Sequence, residues 1–280
     1  MGYEGSLSQL PKKIPRTGLP VRKTNTILFK NSMKNRIALT SIVQDTENLY
    51  TYLLRKKNEQ MGLIVGDPGL GKTTACKYLE EYHPVIYCSV LPTWTPTQMV
   101  NWLLFKACGE KRRGLTRAMS ALLNHLHHSG QALIFDESER LCNRHHLLDT
   151  VRTIHDNSSV PILLVGMGRI KEKLEMHRHF YDRCAGFIYA QKPSFSDNKL
   201  DVGATTNIPF SKELLNLIVG DPSIGNNYRR VRTSVEYIAK ELRDRENHLP
   251  IAPEEWTQPY LPYFARQEIY SNVAVEGFGS

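Results

Sequence analysis

The sequence predicts an α/β protein: a doubly wound, parallel, five-stranded P-loop sheet followed by a small C-terminal helical lid. Short apolar runs without polar alternation recur between amphipathic stretches, as expected of strands covered by helices on both faces. A glycine-rich loop, Gly66 to Thr73, joins one such run to a helical pattern. Beyond about residue 194 the strand-like runs cease and only helical spacing remains.

Taken in order, Ile42, Val43, Leu49, Tyr50, Leu53 and Leu54 recur at mostly helical steps and predict a helix within 39–57. Met61 to Val65 reads as a strand, the glycine loop follows, and Thr73 to Tyr82 reads as a helix. Val85 to Ser89 is a second strand. Thr97 to Cys108 is a helix with Met99, Trp102, Leu103 and Ala107 on one face, broken by Gly109 to Gly114. Leu115, Met119, Leu122, Leu123 and Leu126 stripe the next helix, which leads into the continuous run Ala132 to Phe135, a strand for the centre of the sheet. His146 to Asp156 is helical, Ile162 to Val165 is a buried strand, and Phe187 to Ala190 is the fifth. In the lid, Ser211 caps a short helix through Leu214, Leu215 and Ile218, and Val231, Val235, Ile238 and Leu242 stripe a longer one. The expected organisation is a basic arm (1–37), a nucleotide-binding α/β domain (38–193), the lid (194–246) and a tail rich in proline and aromatic residues (247–280).

With 41% hydrophobic and 23% charged residues, the 280-residue chain carries enough apolar content for a packed core and too much for a disordered one. Its longest apolar runs are about four to six residues where a bilayer span needs roughly 20, and the N-terminus lacks an apolar signal core. The expectation is a cytoplasmic protein without a membrane partner. The scattered cysteines Cys76, Cys88, Cys108, Cys142 and Cys184 form no C-x-x-C pair and read as free thiols. His125, His127 and His128, like His145 and His146, lack the spacing and supporting ligands of a metal site and read as surface histidines.

Charge is concentrated at one end. Residues 1–36 hold eight basic residues against the single acid Glu4, a net +7 of the chain's +8. Such an arm suits a polyanion, most simply nucleic acid, or else serves as a solubilising leader.

Gly66-Asp67-Pro68-Gly69-Leu70-Gly71-Lys72-Thr73 satisfies G-x-x-x-x-G-K-[ST] between a strand and a helix, with Thr74 next in the helix. In this pattern glycines let backbone N–H groups converge on phosphates, Lys72 meets the β- and γ-phosphates of ATP, and Thr73 ligates Mg2+. Ala132 to Phe135 delivers Asp136 and Glu137 at a strand's carboxyl end, where open α/β sheets bind ligands. Asp136 is the expected Mg2+ partner and Glu137 the base that orients and deprotonates the attacking water.

These motifs resemble the AAA+ superfamily and, within it, the DNA-transposition ATPases typified by TnsC and the Mu phage B protein. Asp136-Glu137-Ser138-Glu139-Arg140-Leu141 is similar to that group's D-E-A-D-R-L, and Ile162-Leu163-Leu164-Val165-Gly166 to its fourth strand. The resemblance, over roughly residues 38–245, implies an arginine finger at Arg183, with Arg178 as the nearby alternative. It also implies a second-sensor arginine at Arg229, within Asn226-Asn227-Tyr228-Arg229-Arg230-Val231. One position departs. The first-sensor residue after the fourth strand falls at Gly166-Met167-Gly168, and Met167 is a poor hydrogen-bonding partner, which implies slow, switch-like hydrolysis.

A finger acting on a neighbour implies head-to-tail homo-oligomers, as a ring or a helical filament. Lys111, Arg112 and Arg113, in the glycine-bounded loop, are the candidate contacts to duplex DNA; a merely solvated basic loop is the alternative. The group's activity implies an ATP-switched regulator that assembles on DNA and recruits or activates a transposase or target-selection protein. The same core serves helicase-loading and replication-initiation ATPases. A non-hydrolysing scaffold that keeps nucleotide as a structural ligand is a third reading.

Overall fold

The protein is described by a computed structural model covering residues 37–57, 59–205 and 212–244. The expectations for residues 1–36, for the tail and for Ser211 as a cap lie outside them.

Helix α1 (Ser41–Leu54) precedes β1 (Met61–Val65), α2 (Lys72–Tyr82), β2 (Val85–Ser89), α3 (Pro96–Cys108), α4 (Leu115–Ser129) and β3 (Ala132–Asp136). Then come α5 (Glu139–Cys142), α6 (His145–Ser158), β4 (Ile162–Gly166), α7 (Ile170–Glu175), α8 (Arg178–Tyr181) and β5 (Cys184–Tyr189). Three helices close the described chain: α9 (Phe195–Thr205), α10 (Lys212–Gly220) and α11 (Tyr228–Asp244).

All strand pairings are parallel, in the order β2-β3-β4-β1-β5. Val65 is level with Gly166 and Ser89 with Asp136, so the carboxyl ends of β1, β4 and β3 finish side by side although the chain visits them far apart. The central strands are buried along their whole length because each face meets its own helices. Leu63, Val65, Leu133, Phe135, Ile162 and Leu164 pack with α3, α4 and α6. Ile64, Ile134, Leu163 and Val165 pack with α1 and α2 on the other side.

Local chemistry sets several boundaries. Thr95 caps α3 by accepting from the Gln98 backbone while Gln98 reciprocates, Pro96 occupies the first turn, and Gly109 ends the helix at φ +76°. Strand β5 starts three residues before the expected Phe187. As an edge strand it leaves its side chains half-exposed, so its first residues, Cys184-Ala185-Gly186, carry no apolar run. Helix α9 was not expected at all. It buries Asp197, Asn198 and Asp201, a polar face with no apolar stripe to read.

Candidate nucleotide-binding site

The chain turns sharply after β1, with Gly69 and Gly71 at φ +84° and +83°, conformations open to glycine without strain. A Cβ on Gly69 would strike the Asn227 amide. Lys72 folds back over this loop, its Nζ donating to Gly66 O at 2.6 Å and Asp67 O at 2.8 Å. Burial holds its pKa below the ordinary lysine value despite the opposing pull of Asp136 and Glu139. Loop and α2 together form a cradle of N–H groups with a cation at its centre.

Thr73 Oγ1 donates to Asp136 Oδ2 at 2.7 Å, although the residues are 63 positions apart. Tyr87 donates to the same oxygen at 2.9 Å, which pushes the phenol pKa up after the larger effect of burial. The other carboxylate oxygen accepts from the Glu137 backbone N–H at 2.8 Å. Glu137 itself has φ +57°, a left-handed conformation that costs a residue with a Cβ some strain and is concentrated at functional sites. Ser138 anchors this turn, its hydroxyl donating to Phe135 O at 2.6 Å and its N–H to Val165 O at 2.9 Å. Arg140 forms an ion pair with the Glu137 carboxylate and donates to Val90 O at 2.6 Å.

Helix α11 completes the site. Asn227 Nδ2 donates to Pro68 O at 2.8 Å and the Tyr228 N–H to Gly69 O at 3.0 Å, fastening the helix start to the phosphate loop. The resulting cavity, about 590 Å³, lies within the roughly 300–1,000 Å³ of ordinary ligand sites. It brings together Pro68, Gly69, Gly71, Lys72, Thr73, Thr74, Asp136, Glu137 and Met167 with Arg229 from the far end of the chain. The set fits magnesium nucleotide: a hydroxyl and a carboxylate within bonding reach of one point, a cation, and a glycine loop into which a side chain would intrude.

Arg232 and Glu236 also line this cavity, one and two turns beyond Arg229, and Glu139 faces it from β3's end; sequence reasoning assigned none of them a role. The one available signal was helical spacing from Arg229. Gly66, Asp67 and Leu70 lie in the same loop but line an adjoining pocket with Gly168, Tyr189 and Ala190.

Arg183 stands apart. Its guanidinium grips Asp156 in a two-pronged pair at 2.7 and 2.8 Å, and it does not line the cavity. Arg178 is exposed at the start of α8. Lys111, Arg112 and Arg113 are exposed between α3 and α4 with Arg117 one turn further; Arg112 pairs with Glu110 at 2.5 Å and Lys111 lies over the Phe105 ring. Among the described residues no helix is long and apolar enough to cross a membrane.

The AAA domain family matches residues 55–174. No curated protein matches the chain. Among solved structures, the chain is similar to Aeropyrum pernix ORC1 in complex with DNA, with a TM-score of 0.58 and 15% identity over 84% of this chain and 66% of that one. Aeropyrum pernix ORC2 gives 0.60 and 12% over 76% of this chain and 66% of that one. Domain III of the Thermotoga maritima replication initiation protein DnaA gives 0.52 and 14% over 77% and 90%. The chain thus spans just under two thirds of either ORC protein. At these identities the likeness is one of fold. Strand order, phosphate loop and strand-end acids match a P-loop fold of the AAA+ kind, and the match to the AAA domain family lies over its central part, residues 55–174.

Proposed function

We propose that this protein is an ATP-dependent, DNA-binding AAA+ regulator of DNA transposition that assembles head-to-tail on duplex DNA and recruits or activates a transposase. The observation that carries the ATPase part is the Thr73–Asp136 contact at 2.7 Å beside Lys72 and the glycine loop. The likeness of Asp136 to Leu141 to the D-E-A-D-R-L motif supports the transposition part.

Lys72 would leave the carbonyls of Gly66 and Asp67 for the β- and γ-phosphates, and Thr73 with Asp136 would hold Mg2+. Held there, the metal would neutralise charge on the phosphates. Glu137 takes the proton as water attacks the γ-phosphorus and the bond to the β-phosphate oxygen breaks. To do so its carboxylate leaves Arg140. Arg229 reaches the γ-phosphate side from α11. The finger comes from a neighbouring subunit, as Arg178 or as an Arg183 that gives up Asp156. With Met167 contributing no polar atom, turnover is slow. Lys111, Arg112 and Arg113 contact DNA phosphates.

A helicase-loading or replication-initiation ATPase is the second reading, favoured by the fold likeness to ORC proteins and DnaA. ATP hydrolysis with and without random duplex DNA, alongside electron microscopy of the same mixtures, tests the proposal. Expected are DNA-stimulated hydrolysis, filaments or rings on DNA, and a Glu137→Gln variant that assembles but hydrolyses about 10²–10⁴-fold more slowly. Neither rate nor assembly responding to DNA would turn the assignment to a protein-directed loader. Replacing the three loop cations with alanine should flatten the salt dependence of DNA binding by up to about 0.9 log units per log unit of salt for each lost phosphate contact.

A further inference from the structure

Resting on the ATPase reading, we propose that Glu139 is a second positioning residue for hydrolysis: its carboxylate holds a water at the carboxyl tip of β4, where Met167 offers no partner. Glu139 Oε2 is buried and has no hydrogen-bond partner. It lies against Gly166, where an added Cβ would stand only 2.5 Å from that oxygen, so the glycine leaves room for the carboxylate at the end of β4. The same side chain lines the cavity with Lys72, Thr73, Asp136 and Glu137.

A buried carboxylate oxygen without a donor destabilises a fold, and native proteins keep few such atoms. Nearby donors are engaged elsewhere. Lys72 binds Gly66 O and Asp67 O, Thr73 binds Asp136, Ser138 binds Phe135 O, and Arg140 binds Glu137 and Val90 O. The cavity that the same side chain lines is where a donor can arrive: once nucleotide occupies the site, the carboxylate turns toward it, and water is the donor that fits a polar site of this kind. An ionised carboxylate only accepts, so a water bound there points a hydrogen at Glu139 and presents its oxygen lone pairs away from it. That orientation suits a nucleophile. Glu139 takes no proton in the step; the proton goes to Glu137. Glu139 thereby supplies, from the strand-end acid run, the polar contact that Met167, half-exposed in the same cavity, does not.

The test compares the full chain with Glu139→Leu and Glu139→Gln. In the leucine variant the unliganded Tm should rise by about 2–4 °C as the unsatisfied oxygen is removed. Its nucleotide Kd should stay within about twofold while kcat falls about 100-fold, the size expected for one lost oriented contact. Glutamine, which keeps an accepting oxygen, should recover about tenfold of that loss. The Mg2+ concentration giving half-maximal rate should not move. Unchanged kcat in the leucine variant, a lowered Tm, or a Mg2+ midpoint rising as kcat falls would each overturn the proposal. If the unaltered chain shows no Glu137-dependent hydrolysis, it is the ATPase reading that fails, and this is seen before any Glu139 variant is compared.

Discussion

The sheet and the C-terminal helices reach the same cavity by different physical means. Strands β1, β3 and β4 are buried along their whole length between two apolar layers, so the positions of Gly66, Asp136 and Gly166 are set by close packing. Helices α9 and α11 meet that frame through the Tyr228 ring and a few polar contacts. Asp197 accepts from the Ser41 N–H at 2.7 Å, and Asn227 and Tyr228 bind carbonyls of the phosphate loop, while Arg232 and the buried Asp201 tie α11 to α9. Apolar packing tolerates little displacement, whereas a handful of hydrogen bonds can be exchanged for others at small net cost. The candidate acids Asp136 and Glu137 therefore sit on the closely packed part, and Arg229 sits on a part held to it by fewer, more exchangeable contacts.

The strongest test of that contrast is Phe135→Ala, which empties a fully buried site beneath Asp136 and should cost about 3–5 kcal/mol in chemical denaturation. Next is Arg232→Leu. It strands the Asp201 carboxylate, only 3% exposed, and should cost about 3 kcal/mol. Faster amide exchange in β3 together with α11 in this variant would mean that α9 and α11 belong to the rigid frame. Asn227→Ala removes one contact to Pro68 O and should cost only about 1 kcal/mol, with faster amide exchange in α11 and little change in β3.

The smallest effect concerns pH. Burial raises the Asp197 pKa, but hydrogen bonds from Ser41 and Ser194 outweigh it and leave the carboxyl below its ordinary 3.8. A depressed carboxyl pKa contributes stability above the unfolded value, lost as pH falls through the folded one. Denaturation curves of the unaltered chain and Asp197→Asn should therefore differ at neutral pH and converge below about pH 4.

Arg140→Ala sharpens the picture on the catalytic side. Freed from its ion pair, Glu137 should give a basal hydrolysis rate raised severalfold with nucleotide affinity unchanged, measured by phosphate release; a fall in rate would mean that Arg140 aims the acid instead of restraining it.

Much of this was legible in the chain because it depends on neighbours in sequence. The strand-glycine-helix pattern at Met61 to Tyr82, the apolar runs of β3 and β4, and the helical stripe of Val231, Val235 and Ile238 are all local periodicities. Helix α9 was hidden because its buried face is polar, satisfied by partners such as Ser41 and Arg232 that lie far off in sequence.

The sequence by itself determined most of the elements, α9 excepted, together with the phosphate loop and the acids at the end of β3, since backbone preference and apolar spacing act over a few residues. Only the tertiary structure decided who meets whom: Thr73 with Asp136, Arg183 with Asp156 away from the cavity, Arg229 and Arg232 in it, and Glu139 buried against Gly166 without a partner. Hydrogen bonds and ion pairs act over a few ångströms of space, and strand order decides which distant residues come that close.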